Sequence, residues 1–334
     1  AILGGGSWGT ALALALARSR RAHPIALWVH DPELAALIRE RRENAVYLPE
    51  CKLPAEIAVT SELGTAIDGA SVIFGVVPSA HARNVYSSVF PLLPPNAVIV
   101  SATKGLEHGT LQRMSEVIED VARAAGGGRG KPRIAALSGP SFAREVARGD
   151  PTAVVIASRE PGLAAELQEE ISGATFRLYS SEDLPGVEMG GAVKNVIAIA
   201  AGVCAGLGLG GNTIAALVTR GLAEMTRLAM AHGGKRETLA GLAGMGDLVL
   251  TSTGALSRNR AVGFELGRGL PLAEILSTTR MVAEGVGTTA ATRELGRRAG
   301  IEMPITEQMH AVLNEGKPPR EAIRELMERR LKSE

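Results

Sequence analysis

The first stretch able to do chemistry is Gly4-Gly5-Gly6-Ser7-Trp8-Gly9, which carries the spacing G-x-G-x-x-G after a short apolar run and ahead of a helical pattern. In that context Gly4 allows a tight turn, Gly6 lets the backbone approach a pyrophosphate, and Gly9 lets the helix pack closely on the strand. The pyrophosphate would rest on the free N–H groups of the helix start. About 20 residues further on, His30 and Asp31 end the next apolar run. An acid at this place accepts from the ribose 2′-hydroxyl of NAD, while a cationic neighbour suits the 2′-phosphate of NADP. Both types are present, and Arg39, Arg41 and Arg42 follow on what reads as a solvated helix face. NAD and NADP therefore both stay open.

Further candidates stand where later apolar runs end. Val76-Val77-Pro78-Ser79 follows the fourth run, and Ser101-Ala102-Thr103-Lys104-Gly105 follows the fifth and brings an amine. Ser138-Gly139-Pro140-Ser141-Phe142-Ala143 follows the sixth and offers hydroxyls at a helix start. Ligands of open α/β sheets bind beyond such carboxyl ends. In the second half, Lys194-Asn195 interrupts an apolar helical stretch over residues 190–200, where an amine is costly to bury unless it serves a site. Gly241-Leu242-Ala243-Gly244-Met245-Gly246-Asp247 puts a carboxylate on what reads as a glycine-rich loop. Ser257-Arg258-Asn259-Arg260 supplies donors that could grip a phosphate through a guanidinium fork. Taken singly, each has an ordinary reading: a surface lysine, a helix cap, a solvated helix start. Together they supply an amine, a carboxylate and a phosphate grip beside a dinucleotide fold.

The elements that must position these residues follow from periodicity. Residues 1–4, 25–29, 57–60, 71–77, 97–102, 134–137 and 153–157 read as strands. Helical spacing over 8–17, 32–43, 82–90, 111–125 and 163–171 alternates with them, which argues a parallel sheet with helices on both faces. Residues 126–132 read as a surface loop, longer than the fold needs. Beyond about residue 180 only helical spacing remains, over 184–207, 213–232, 237–243, 260–268, 288–299 and 319–331. The expected organisation is an α/β dinucleotide-binding domain over 1–180 and an all-α domain over 181–334.

Composition narrows the function. Lys plus Arg is 36 and Asp plus Glu is 35 in 334 residues, a net charge of +1, so no bulk charge draws the chain to nucleic acid or to anionic membranes. Aromatics are 3%, too few for base-stacking platforms. The 40 glycines exceed the usual share of about 7% and sit in short clusters. Cys51 and Cys204 have no zinc or disulfide spacing, so no metal site is expected and the chain suits a reducing cytoplasm. The opening residues do not read as a signal peptide, and a few residues are expected to precede Ala1. Residues 195–219 carry no charge, but Gly206-Leu207-Gly208-Leu209-Gly210-Gly211 breaks the run, so two buried helices joined by a glycine turn are expected rather than a membrane span.

Seven of these segments, in this order, resemble the bacterial type of NAD(P)-dependent glycerol-3-phosphate dehydrogenase over nearly the whole chain. They are Gly4-Gly5-Gly6-Ser7-Trp8-Gly9-Thr10-Ala11, Ala102-Thr103-Lys104-Gly105-Leu106-Glu107, Ser138-Gly139-Pro140-Ser141-Phe142-Ala143, Gly191-Ala192-Val193-Lys194-Asn195-Val196, Gly246-Asp247-Leu248-Val249-Leu250-Thr251, Ser257-Arg258-Asn259-Arg260 and Val282-Ala283-Glu284-Gly285. The resemblance implies an oxidoreductase that interconverts dihydroxyacetone phosphate and sn-glycerol 3-phosphate and supplies the latter for phospholipid synthesis. It implies NAD or NADP as cofactor, a cytoplasmic location and a homodimer. It implies a catalytic set of Lys194, Lys104, Asn195 and Asp247, with Lys194 as proton donor and acceptor. Gly4, Gly6, Ser7, Trp8, Gly9, His30, Lys104, Ala143, Arg258, Val282 and Glu284 would contact the cofactor. Lys104, Gly139, Ser141, Lys194, Asp247, Ser257, Arg258 and Asn259 would hold the substrate. Two rival readings remain at this point: another two-domain hydroxy-acid or hydroxyacyl dehydrogenase, and a non-catalytic dinucleotide sensor. The Ser257-Arg258-Asn259 grip argues against the first, and a buried amine with a carboxylate against the second.

Overall fold

The short β-branched runs of the first half assemble into one eight-stranded sheet, as a computed structural model that describes residues 1–126, 132–277 and 283–330 shows. The chain divides into two units, Ala1–Glu188 and Met189–Glu334. The first holds strands β1 (Ile2–Leu3), β2 (Ile25–Trp28), β3 (Ile57–Thr60), β4 (Val72–Gly75), β5 (Val98–Ser101), β6 (Arg133–Ser138), β7 (Thr152–Ala157) and β8 (Phe176–Ser181). Between them run α1 (Ser7–Leu16), α2 (Pro32–Arg41), α3 (Leu63–Ile67), α4 (Ser79–Val89), α5 (Met114–Ala124), α6 (Ala143–Arg148) and α7 (Leu163–Ile171).

The sheet order is β3-β2-β1-β4-β5-β6-β7-β8. The order reverses between β1 and β4, the place where doubly wound sheets open a crevice for a ligand. Two apolar clusters cover the two faces. One gathers α1, α2, α6 and α7, and the other α3, α4 and α5. Strands covered on both faces must be apolar throughout, which is why β4 and β5 read as unbroken runs. The sheet is parallel-rich, with one pairing of opposite direction and one strand that the periodicity did not mark. β7 runs antiparallel to β6, a direction that a short apolar run does not signal in the sequence. β8 extends the edge parallel to β7; its outward Arg177 and Tyr179 alternate with buried Phe176 and Leu178, which hides it among polar residues.

The described residues of the second unit form no strand. The helices are α8 (Leu184–Gly206), whose first turn begins in the first unit, α9 (Gly211–Ala231), α10 (Arg236–Ala240), α11 (Asp247–Thr253), α12 (Arg258–Gly267), α13 (Leu272–Ser277), α14 (Glu284–Arg298), α15 (Pro304–Asn314) and α16 (Pro319–Met327). By length and composition α8 could cross a membrane, but 89% of its most apolar window is buried inside the protein. Four glycines let α8 and α12 touch backbone to backbone. A Cβ on Gly202 would lie 2.0 Å from the Arg260 carbonyl oxygen, and one on Gly263 1.9 Å from that of Ile199. Gly206 and Gly267 repeat the contact one turn on. The expectation of two buried helices holds for α8 alone. The first ten residues of α9 are exposed or half-buried. An uncharged stretch need not be apolar: within it the exposed positions on α9 are Gly211, Asn212, Ala215, Ala216 and Thr219.

Glu224 of α9 is 1% exposed, and its carboxylate accepts from the backbone N–H groups of Ile305 (2.6 Å) and Thr306 (3.3 Å) and from the Thr306 hydroxyl, closing the start of α15. Burial outweighs these bonds and pushes its pKa up to about 7. A raised carboxylate pKa means that the folded state keeps a proton that the unfolded state has released. The stabilisation is therefore full below about pH 4.3 and is lost as the pH rises through about 7, a swing of at most about 4 kcal/mol. Glu224→Gln, neutral at every pH, should flatten this dependence. Melting curves between about pH 5 and pH 8 test it: parallel pH profiles for parent and variant would show that Glu224 does not titrate there.

Candidate active site

The three glycines of the opening motif divide their work as the geometry requires. Gly4 has φ +135°, and a Cβ there would lie 2.4 Å from the Val76 carbonyl oxygen, so β1 and β4 part at a point with no room for a side chain. A Cβ on Gly9 would lie 1.9 Å from the Gly4 carbonyl oxygen. A Cβ on Gly6 would meet nothing within 4 Å. Gly6 is the N-cap of α1, and no side chain caps the helix. The start of α1 therefore has no capping side chain of its own and stands beside an open face, which fits an incoming phosphate. Trp8, in that turn, has a buried indole N–H with no protein acceptor among the described residues, a second feature that fits a ligand here. Behind the turn, Asn44 is fully buried and donates to the Gly5 carbonyl (2.8 Å) and to the Thr10 hydroxyl (2.9 Å), while Ser7 donates to the Tyr47 carbonyl (2.6 Å).

His30 is exposed just past β2 and packs its ring against Trp28. The Asp31 carboxylate caps α2, accepting from Glu33 N–H at 2.9 Å and Leu34 N–H at 3.3 Å. Arg42 is spent on the carbonyls of Leu53, Pro54 and Ile57, while Arg39 and Arg41 are exposed, as a solvated face requires.

After β5, the Lys104 ammonium donates to the Gly139 carbonyl (2.7 Å) and to the Ser141 hydroxyl (3.1 Å). Gly139 sits at φ +134°, a conformation that glycine adopts without strain. Three residues expected to share a substrate are thus together within the first unit, with Ala143 opening α6 just beyond.

In the second unit Lys194 is 5% exposed on α8, and its Nζ lies 3.1 Å from Asp247 Oδ1. Asp247 is 2% exposed. It does not stand on a loop, as the glycines suggested. A single π-helical turn, Leu242–Gly246, leads into α11, of which Asp247 is the first residue. A Cβ on Gly190 of α8 would lie 2.5 Å from the Ala243 carbonyl oxygen, so a glycine pair of surfaces presses this turn onto the helix that carries Lys194. Thr251, one turn along α11, accepts from Lys194 Nζ at 2.7 Å and donates to the Asp247 carbonyl at 2.6 Å. With its hydrogen spent on the backbone, the hydroxyl turns its lone pairs to the ammonium.

Beside them, Asn195 Oδ1 accepts from Asn259 Nδ2 at 3.0 Å, and Asn259 Oδ1 accepts from the Gly285 N–H at 3.0 Å. The glycine contact of α8 with α12 is what brings the two asparagines this close. Ser257 is the N-cap of α12 and accepts from Arg260 N–H at 3.2 Å. Arg258 is exposed as a residue, yet its guanidinium is crowded enough for burial to lower its pKa, against which the Glu284 carboxylate acts.

The family described as NAD-dependent glycerol-3-phosphate dehydrogenase N-terminus matches residues 1–164, and its C-terminus counterpart matches residues 183–324. The chain belongs to the NAD-dependent glycerol-3-phosphate dehydrogenase family. It is 55% identical to the glycerol-3-phosphate dehydrogenase [NAD(P)+] of Koribacter versatilis, with 98% of this chain and 96% of that protein covered. The Acidobacterium capsulatum protein of the same name is 53% identical, with 98% and 97% covered. Among solved structures, the glycerol-3-phosphate dehydrogenase of Coxiella burnetii matches with a TM-score of 0.91 and 41% identity, covering 98% of each chain.

Against the family's two parts, each unit holds its share of the expected residues. Val282 falls outside the described residues, as do residues 127–131 of the glycine-rich loop. Sequence reasoning assigned no role to Thr251, although it closes the quoted Asp247 segment. Its spacing of four from Asp247 was the available signal, hidden once residues 241–247 were read as a loop. Asn44 and Tyr47 had no such signal, because they reach the opening motif only through tertiary packing.

Proposed function

We propose that this chain interconverts dihydroxyacetone phosphate and sn-glycerol 3-phosphate with NAD or NADP, in keeping with relatives named glycerol-3-phosphate dehydrogenase [NAD(P)+]. The observation that carries the reading is the buried Lys194–Asp247 pair with Thr251 at 2.7 Å. An ammonium held this way is suited to a reaction in which negative charge develops on an oxygen. When bound, the nicotinamide cofactor supplies the hydride that reaches C2 of the ketone. Lys194 stabilises the charge that grows on the C2 oxygen and gives it a proton; in the oxidative direction it takes the proton back. Asp247 offsets the cost of burying the ammonium, and Thr251 fixes its direction. Asn195, held by Asn259, orients substrate. Gly4, Gly6, Ser7, Trp8, Gly9 and His30 bind cofactor, joined by Ala143, Val282 and Glu284. Lys104, Gly139, Ser141, Ser257, Arg258 and Asn259 bind the phosphorylated triose. The same proposal places the enzyme in the cytoplasm, which its two free, buried cysteines suit, and makes it a homodimer that supplies phospholipid synthesis.

Absorbance at 340 nm with dihydroxyacetone phosphate and each reduced cofactor tests the reading, and no oxidation of either would sink it. Arg258 sharpens the test. The net charge of +1 cannot compensate a phosphate dianion, so a placed cation must. A guanidinium fork to phosphate contributes about 1.5–3 kcal/mol. Arg258→Ala should lower kcat/KM for dihydroxyacetone phosphate at least ~10-fold, and Arg258→Lys should recover part of it. Unphosphorylated dihydroxyacetone should lose much less. Equal losses for both substrates would take Arg258 out of the phosphate site.

A further inference from the structure

The loop between β5 and α5 carries Lys104, whose ammonium donates to the Gly139 carbonyl and the Ser141 hydroxyl. Near its start, the Thr103 hydroxyl donates to the Val77 carbonyl at 2.6 Å. Further along, Leu106 and Arg113 form an antiparallel bridge, inside which Glu107 N–H donates to the Gln112 carbonyl. The loop so closed is pinned to α4 by a charged fork. Arg83 Nε donates to Glu107 Oε1 at 2.8 Å, and Arg83 Nη2 donates to Glu107 Oε2 at 2.7 Å. Thr110 donates to the same carboxylate at 2.5 Å, and Arg83 Nη2 also reaches Gln112 at 2.8 Å. The Glu107 side chain is 12% exposed. A bidentate pair fixes direction as well as distance, and here it fixes the backbone three residues from the Lys104 ammonium.

We propose that the Arg83–Glu107 pair is a positioning device for Lys104: it holds the loop so that the ammonium meets the substrate at Gly139 and Ser141. The inference rests on the reading of Lys104 as a substrate-binding residue. Glu107 touches neither cofactor nor substrate in that reading and acts only through the loop. Its carboxyl is held below the ordinary carboxylate range chiefly by the Arg83 hydrogen bonds, so the pair stays charged at working pH. A displacement of a binding group by about 1 Å is enough to change kinetic constants substantially.

A double-mutant cycle tests this on the intact chain, with KM for dihydroxyacetone phosphate as the readout. Glu107→Gln keeps the shape of the side chain and removes its charge. It should raise that KM ~10-fold while leaving the cofactor KM and kcat within ~3-fold. In a Lys104→Met background the same change should move KM by no more than ~2-fold, because the residue through which Glu107 acts is gone. Should Glu107→Gln not fold, Arg83→Gln, at a 35% exposed side chain, carries the same cycle from the other end of the fork. An unchanged KM in the single variant, or an equal effect in both backgrounds, overturns the positioning role and leaves the function untouched. A Lys104→Met enzyme with normal KM overturns the reading of Lys104 and the positioning role with it.

Discussion

Lys194→Ala should reduce turnover at least ~100-fold, the usual lower bound for the loss of a general acid, while cofactor affinity barely changes. The structure adds a second consequence. Asp247 is 2% exposed and has the Lys194 ammonium at 3.1 Å, so removing the amine takes away the cation that faces a buried carboxylate. Breaking a buried pair from one side costs about 3–5 kcal/mol, enough to lower the melting temperature visibly. Loss of activity in Lys194→Ala could then reflect loss of fold. The pair Lys194→Met with Asp247→Asn separates the two effects, because it leaves neither charge behind. Its melting temperature should return most of the way, whereas its turnover should stay at least ~100-fold down. A double variant that recovers both stability and turnover would show that Lys194 and Asp247 are a structural pair with no part in proton transfer.

The same residues show how far the sequence alone can be read. Lys194 stood out because a lone amine in an apolar helix has few cheap explanations, and the structure places it in a buried ion pair. Asp247 stood out by type, yet its setting was misread, since Gly241, Gly244 and Gly246 look like a loop. In the fold, Gly244 is there because a Cβ would lie 2.1 Å from the Leu239 carbonyl oxygen. The glycine excess has this meaning repeatedly. At Gly202, Gly206, Gly263 and Gly267 it marks helices in backbone contact, which no local pattern distinguishes from a flexible turn. The strands were legible wherever both faces are covered, and β8 was not, because an exposed edge strand mixes polar residues into its run. Arg83 and Glu107 lie on separate elements, so only the folded loop reveals that they form one fork. Asp31 shows the converse case: a residue type demanded by a motif also serves as a helix cap, and the sequence alone does not choose between the two roles.

Gly6→Val should abolish cofactor binding and spare the fold, and the contrast with its neighbours makes the test sharp. Gly6 has φ −79° and ψ −177°, extended backbone that valine adopts without strain, and a Cβ there meets no atom within 4 Å. The branched side chain would project into the space in front of the first-turn N–H groups of α1. A pyrophosphate that loses two charge-assisted hydrogen bonds gives up about 3 kcal/mol, so affinity should fall at least ~100-fold. Gly9→Ala is the opposite control. One added methyl would lie 1.9 Å from the Gly4 carbonyl oxygen, so α1 must move away from β1 and stability should fall, whatever happens to binding. The chain has two tryptophans, and Trp8 lies in the turn proposed to face the cofactor, so quenching of its fluorescence by NADH should report occupancy. Melting curves run beside the titrations separate the outcomes. A folded Gly6→Val protein that still quenches with parental affinity would move the cofactor away from α1.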